Sequence, residues 1–466
     1  MRLQGQLEHI PASRNTMMAQ AMEGLARQGG GGEHGDYGLL SHGSGVASMG
    51  NFYAMVAPFR DGDWVRGSAQ RQSALGDLGA DSVCHFRARV RAAAGSRVAI
   101  TGHITSDQTT LARGDQPAYQ EVRAVAGMVR NFALTASRDF EVATAQVGPV
   151  EVRSFFLPDH RAKGEAALDA AQHALRIFER VFGRYPYDDF ELSEVPLVGG
   201  AGGVEFSGLV TIAQMFYNDR DMLGAFGRMM GQNGGGGIFD SMLEFVVAHE
   251  VAHQWWHGLV GSDARMHPFV DESLAQFSAM LYMEERHGRD RAEREGQRQV
   301  AANYHMMRLQ GNADAAVDQP ASAFANETAY AGLVYGKGPY LYPALREALG
   351  DRTFFRALRA YVSAHRFRVA APRALFDRLA QGSNQRTVRR LEARWLEGTF
   401  GDEDLGEADM GQMMQGWMGE AAGLGDMMQR LQQGTGLGGA GGLGSGDPAV
   451  QQQLQDIVRQ LENLGR

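Results

Sequence analysis

The sequence predicts an α+β protein, and three observations carry that expectation. Residues 49–158 hold short runs of β-formers broken by turn residues. Residues 159–400 hold apolar positions at helical spacing. Within the second stretch, His249-Glu250-Val251-Ala252-His253 is followed by Glu272, a spacing that brings three metal-ligand side chains and one extra carboxylate onto two successive helices.

Residues 1–48 are rich in Gly, Gln, Ser and His and include Gly29-Gly30-Gly31-Gly32, so a flexible lead-in is expected there. Strands are expected at Phe52–Val56, Val83–Val90, Val98–Ile104, Val129–Thr135, Phe140–Ala145 and Val150–Leu157, separated by signals such as Asp61-Gly62-Asp63 and Gly148-Pro149. An amphipathic helix follows over Lys163–Phe182, with Ala167, Ala171, Leu175, Phe178 and Phe182 on one face. Phe190–Pro196 and Gly208–Ala213 read as strands flanking a glycine turn at Gly199–Gly203. The Met/Gly-rich stretch Met215–Gly237 reads as surface padding, with a lid as the alternative.

Asp240 is a plausible cap for the helix that carries His249 and His253, whose apolar face runs through Leu243, Phe245, Val246 and Val247. A second helix is expected over Val270–His287, stopped by Gly288, with Glu272 in its first turn. Helices continue to about Trp395; residues 401–446 are a low-complexity Gly/Met/Gln linker, and 447–466 form a short amphipathic helix opened by Asp447-Pro448. The Met pairs Met413-Met414 and Met427-Met428 read as filler rather than as soft-metal ligands.

Residues four apart on a helix share a face, so the imidazoles of His249 and His253 converge on one ion. Zinc takes imidazole nitrogen and carboxylate oxygen at roughly 2.0–2.2 Å, and a catalytic site uses three protein ligands with a fourth position open. His249, His253 and Glu272 supply the three, one zinc per chain is expected, and Glu250 is placed as a general base. His257 and His267 are weaker ligand candidates, and Trp255-Trp256 reads as core.

His249-Glu250-Val251-Ala252-His253-Gln254-Trp255-Trp256 with Val270-Asp271-Glu272-Ser273-Leu274-Ala275 resembles the core of the aminopeptidase N and leukotriene hydrolase family of gluzincins. Gly202-Gly203-Val204-Glu205-Phe206 resembles that family's G-x-M-E-N strand, Tyr335-Gly336-Lys337-Gly338-Pro339 its Y-x-K-G-A segment, and Tyr185-Pro186-Tyr187 its YPY. The resemblance spans about Gly50 to Gly350. It implies a thermolysin-like zinc peptidase domain over 159–400, preceded at 49–158 by part of a saddle-shaped sheet domain.

The resemblance also implies roles: Glu250 shuttles protons, the Tyr335 hydroxyl stabilises the oxyanion, and Tyr330 lines the pocket. Glu205, presented by Gly202, Gly203 and Val204, pairs with the free amino terminus of a peptide. Val204 and Phe206 stand where the family has Met and Asn, which leaves an endopeptidase or peptide-processing hydrolase as one alternative. An inactive zinc-stabilised scaffold or membrane-complex component is another.

At 466 residues the chain has room for two or three cores. With 45 basic against 54 acidic residues, net −9, and no long basic run, nucleic acid and anionic membrane are not expected partners. Cys84 is the one cysteine, which excludes an intrachain disulfide and a Cys-based zinc site; it reads as a small buried residue in a strand. No apolar window is long enough to span a membrane and no signal peptide is evident, so the default expectation is cytoplasmic.

Overall fold

The computed structural model describes residues 4–17, 19–20, 37–55, 59–60, 63–64, 82–218 and 236–409. Most of the Met215–Gly237 stretch, the linker beyond 409 and the 447–466 pattern lie outside the described residues. The first half is β1 (Glu8–His9), β2 (Leu40–Gly43), β3 (Val46–Gly50), the short hairpin β4 (Phe59–Arg60) and β5 (Asp63–Trp64), β6 (Cys84–Ala93), β7 (Arg97–Ile100), β8 (His103–Thr110), β9 (Tyr119–Val129) and β10 (Ala133–Ser137). These make one sheet in the order β1-β2-β3-β10-β7 and a second in the order β6-β9-β8. Alternate residues of β9, Val122, Ala124 and Ala126, turn inward and join Val98, Ile100, Phe132 and Leu134 in a core of their own.

The lead-in is therefore ordered where it is described. Leu40–Gly43 and Val46–Gly50 pair with each other and β3 pairs with β10, while the Asn15 amide donates to Gln214 Oε1 at 2.7 Å. Other boundaries shift too. Phe52–Met55 form no strand, and Phe52 instead packs edge-on to Phe132. The Val98–Ile104 run divides into β7 and β8 at Gly102, which has φ +96°. The Val129–Thr135 run is the end of β9, a turn, and β10. Cys84 lies in a strand but is exposed.

The second half continues with β11 (Glu141–Val147), β12 (Val150–Phe156), α1 (Arg161–Phe182), β13 (Asp189–Val195), β14 (Gly203–Phe206), β15 (Leu209–Ala213), α2 (Gly236–Ala252), β16 (Val260–Gly261) and α3 (Glu272–His287). Then come α4 (Arg289–Glu295), α5 (Ala302–Leu309), α6 (Glu327–Tyr330), α7 (Leu341–Leu349), α8 (Asp351–His365), β17 (Arg368–Val369), α9 (Ala374–Gln381), α10 (Gln385–Glu392) and α11 (Gly401–Leu405). The sheet order is β11-β12-β13-β15-β14, with β12, β13 and β15 mutually parallel and β14 antiparallel on the edge. Strands β11 and β12, which precede residue 158, thus share one sheet with β13, β15 and β14, which follow it. Both faces of β13 are covered, so nearly all its side chains are buried.

The α1 stripe of Ala167, Ala171, Leu175, Phe178 and Phe182 is buried as its spacing predicts. Trp255 packs edge-on against Phe178 and Phe182, and the Trp256 indole donates to Ser278 Oγ at 2.8 Å. Burying such side chains stabilises the fold by about 1.5–3 kcal/mol each. Asp240 lies inside α2 rather than capping it, and binds Lys163 of α1 at 2.6 Å. Residues 401–405 are also structured: Asp402 of α11 pairs with Arg308 at 2.7 Å and accepts from the Tyr304 hydroxyl.

Where α1 crosses β12, Gly164 lets the helix touch the sheet; a Cβ there would stand 2.0 Å from Cδ1 of Phe156. Gly164→Ala gains about 1 kcal/mol of helix propensity but overpacks the joint, which costs about 1–3 kcal/mol. A lowered urea midpoint with an unchanged m value is the expected result. A raised midpoint would mean that the Phe156 ring yields freely.

Candidate metal centre and active site

Four segments build the site. His249 and Glu250 lie in the last turn of α2, His253 just beyond its end, and Glu272 opens α3. The α3 end is fixed by Asp271, whose carboxylate accepts from the Glu272 N–H at 2.9 Å and from the Ser262 hydroxyl at 2.5 Å. Edge strand β14 packs against α2 and carries Glu205. A turn of π-helix, Ala331–Lys337, carries Tyr335, with Tyr330 at the end of α6 before it.

His249, His253 and Glu272 converge, and are the group of potential metal ligands found among the described residues. Their ring Nε2 atoms are 3.1 Å apart, and each lies 3.4 Å from Glu272 Oε2. Two ligands about 2.05 Å from a zinc ion at a tetrahedral angle stand about 3.3 Å apart. The triad is thus positioned for one Zn2+. His253 Nδ1 meets the Trp256 carbonyl at 2.9 Å, which fixes the tautomer that leaves Nε2 facing its partners.

Electrostatics agree with a cation here. Burial disfavours a charged His253, yet Glu205, Glu272 and Glu250 hold its pKa well above the ordinary histidine value. Burial likewise works against the Glu272 charge, but His253 and His249 hold its carboxyl well below the usual carboxylate range. A buried site with this surplus of negative potential favours positive charge.

Glu250 lies beside the β14 backbone: a Cβ at Gly203 would fall 2.6 Å from its Oε1. Gly203 is the residue that permits this approach, and Gly202 faces Val246 and Phe216. Glu205 is buried in β14, and its carbonyl faces the Asn131 amide at 3.4 Å. Val204 is half-buried, and Phe206, on the opposite face of the strand, is buried with its ring against Gly50 and thus away from Glu205. The half-buried Tyr335 ring lies 6.0 Å from the His249 ring and 5.8 Å from that of the buried Tyr330.

His257 stands apart from the triad, with Nε2 3.4 Å from the Asn131 amide, and His267 pairs with Asp318 at 2.6 Å. Sequence reasoning named Lys337 only as part of a motif, without a role, and missed Arg130 and Asn131. Lys337 is buried, pairs with Asp314 at 2.7 Å and donates to the Gly398 carbonyl at 2.6 Å, anchoring the Tyr335 segment. Arg130 and Asn131 reach in from the sheet domain with no local motif to announce them. Asp271 falls inside the expected Val270–His287 helix; as an acid next to the observed start at Glu272 it carries the capping signal that could have marked it.

An α+β fold with a His-His-Glu triad split between two consecutive helices defines a gluzincin-type zinc metallopeptidase domain. Residues 166–395, behind the N-terminal sheet domain, match the model of the peptidase family M1 domain. Aminopeptidase M1-A of Oryza sativa subsp. japonica is 24% identical over 249 residues, covering 53% of this chain and 26% of that protein. Aminopeptidase N of Lactococcus lactis subsp. lactis is 26% identical over 245 residues, covering 50% and 26%. Probable aminopeptidase 2 of Sulfurisphaera tokodaii is 24% identical over 267 residues, covering 55% and 31%. The chain thus spans about a quarter to a third of the length of these curated relatives. The M1 zinc metallopeptidase from Deinococcus radiodurans aligns at 19% identity and a TM-score of 0.49, over 68% of this chain and 64% of that one. Among the described residues no helix is long and apolar enough to cross a membrane.

Metal analysis of the purified protein is expected to give about one zinc per chain, lost from the His249→Ala/His253→Ala double variant because both imidazoles are ligands. Full retention of zinc in that variant would place the metal elsewhere.

Proposed function

We propose that the protein is a zinc-dependent aminopeptidase that hydrolyses the first peptide bond of peptides with a free amino terminus. The observation that carries this reading is the placement of Glu205, a buried carboxylate on the edge strand next to α2, close enough for its charge to act on His253. A peptide whose α-ammonium pairs with Glu205 presents its first carbonyl to the triad, which fixes the cut one residue in. The Phe206 ring packs toward Gly50, on the opposite face of the strand from Glu205, and so does not obstruct that carboxylate. This supports the aminopeptidase over the endopeptidase alternative.

When bound by His249, His253 and Glu272, zinc supplies a Lewis acid that polarises the scissile carbonyl and acidifies a water molecule. Glu250, buried between the β14 backbone and the triad, is placed to take a proton from the attacking water and deliver it to the departing amine. The Tyr335 hydroxyl donates to the carbonyl oxygen as it gains charge, and Tyr330 walls the same side. Lys337 holds the Tyr335 segment in place through Asp314.

Glu250→Gln and Tyr335→Phe are expected to keep zinc while losing roughly 10²–10³-fold or more in turnover, since each removes a proton carrier or a hydrogen-bond donor at nearly constant shape. Loss of zinc in either variant would instead make that residue structural.

Glu205→Ala is expected to cost about 2–4 kcal/mol in kcat/KM on free-amine peptides, the scale of breaking a desolvated charge pair. Matched free and N-acetylated peptides, compared by product mass, decide the class. Release of the first residue from the free peptide alone fits the proposal. Comparable internal cleavage of both points to an endopeptidase, and no cleavage by zinc-loaded protein to a scaffold.

A further inference from the structure

The turn between β9 and β10, residues 130–132, projects from the sheet domain into the seam between β14 and the turn that follows α2. We propose that Arg130 is a positioning residue for the metal centre, clamping from a separate domain the turn whose carbonyl orients His253. The proposal rests on the triad and not on the peptide-cleaving reading.

Arg130 is 1% exposed. Its Nε donates to the His257 carbonyl at 2.5 Å and to the Gly258 carbonyl at 3.1 Å, and its Nη2 donates to the Arg368 carbonyl at 2.9 Å. One planar fork therefore ties together the end of the metal motif and β17, a geometry that a single ammonium cannot reproduce. The clamped residue is strained: His257 has φ +112°, a conformation that side-chain-bearing residues rarely adopt. Such a backbone persists where its surroundings over-determine it.

Strain at 257 bears directly on the ligand. The carbonyl one residue earlier, Trp256, is the partner of His253 Nδ1, and the Gly258 N–H closes back onto the His253 carbonyl at 2.9 Å. Releasing the turn moves the group that fixes the imidazole. Gly261 shows how close the clamp sits, because a Cβ there would stand 2.4 Å from the guanidinium carbon. The same hairpin tip also holds β14: the Arg130 N–H donates to Ser207 Oγ at 3.1 Å, and Asn131 Oδ1 accepts from the Ser207 N–H at 2.8 Å. The sheet domain thus reaches both walls of the site through two adjacent residues.

The test is zinc affinity of the intact chain, measured by chelator competition at a temperature where near-ultraviolet circular dichroism shows the variant folded. Arg130→Met is expected to weaken zinc binding roughly 10–100-fold, the usual effect of losing a partner that orients a ligand, and Arg130→Lys to weaken it less. Arg308→Met, which breaks the pair with Asp402, serves as control: it is expected to lower Tm without changing zinc affinity. Zinc affinity equal to wild type in folded Arg130→Met protein overturns the proposal, whatever happens to Tm. Should Arg130→Met not fold, Gly261→Ala, which displaces the guanidinium without removing it, gives the answer by the same measurement. Weakened zinc supports the clamp and unchanged zinc rejects it. Because the readout is metal and not cleavage, the outcome is independent of whether the protein proves to be an aminopeptidase.

Discussion

Three electron-rich atoms held against one another in a buried place are the constraint around which the rest is arranged. Two imidazole nitrogens and a carboxylate oxygen within 3.4 Å of each other are poorly matched unless a cation sits among them. Holding that geometry takes rigid support on every side. Asp271 fixes the start of α3, the Trp256 carbonyl fixes His253, and fully buried Trp255 and Trp256 wedge the end of the motif into the core. Glycines at 203 and 261 are where the supporting backbone comes too close to Glu250 and Arg130 for any side chain.

How much of this the sequence discloses depends on how local the determining interactions are. The metal motif, the stripe of α1 and the stop of α3 at Gly288 are set by residues close to one another in the chain, and they stand where the pattern puts them. The start of α3 does not: it lies at Glu272 behind its Asp271 cap, two residues later than the expected Val270. The break between β9 and β10 is different. Met128 adopts φ +58° at a bulge one residue before β9 ends, and the turn itself, residues 130–132, contains no glycine. The bend is held from outside by the Tyr187 hydroxyl on the Met128 carbonyl and by Ser207, so a run of β-formers from Val129 to Thr135 conceals it. Strands β2 and β3 were hidden for a related reason: their ladder is backbone pairing, and a Gly/Ser-rich composition says little about it.

Departures from a motif are also easier to weigh in three dimensions. Phe206 in place of a polar residue reads as an obstruction beside Glu205 when the five residues are taken as a string. On a strand, neighbours face opposite ways, and the ring is absorbed by the contact with Gly50 in the sheet domain. That substitution therefore belongs to the packing between domains, where it adds apolar contact at the back of the edge strand.

The same seam holds a titrating group. Glu191 of β13 is buried, accepts from the Ile100 N–H at 2.6 Å and meets Arg153 at 2.5 Å. Burial pushes its pKa up to about 7, against the pull of Arg153 and the Ile100 N–H. A carboxyl raised above its unfolded value binds its proton more tightly in the folded chain, so folding takes up a proton between the two values. Its contribution is complete only below the unfolded value of 4.5, declines across mild acid and is lost as the pH rises through about 7. The adhesion of the two sheets is thereby coupled to the proton concentration of the surroundings, through a residue that never touches the metal centre.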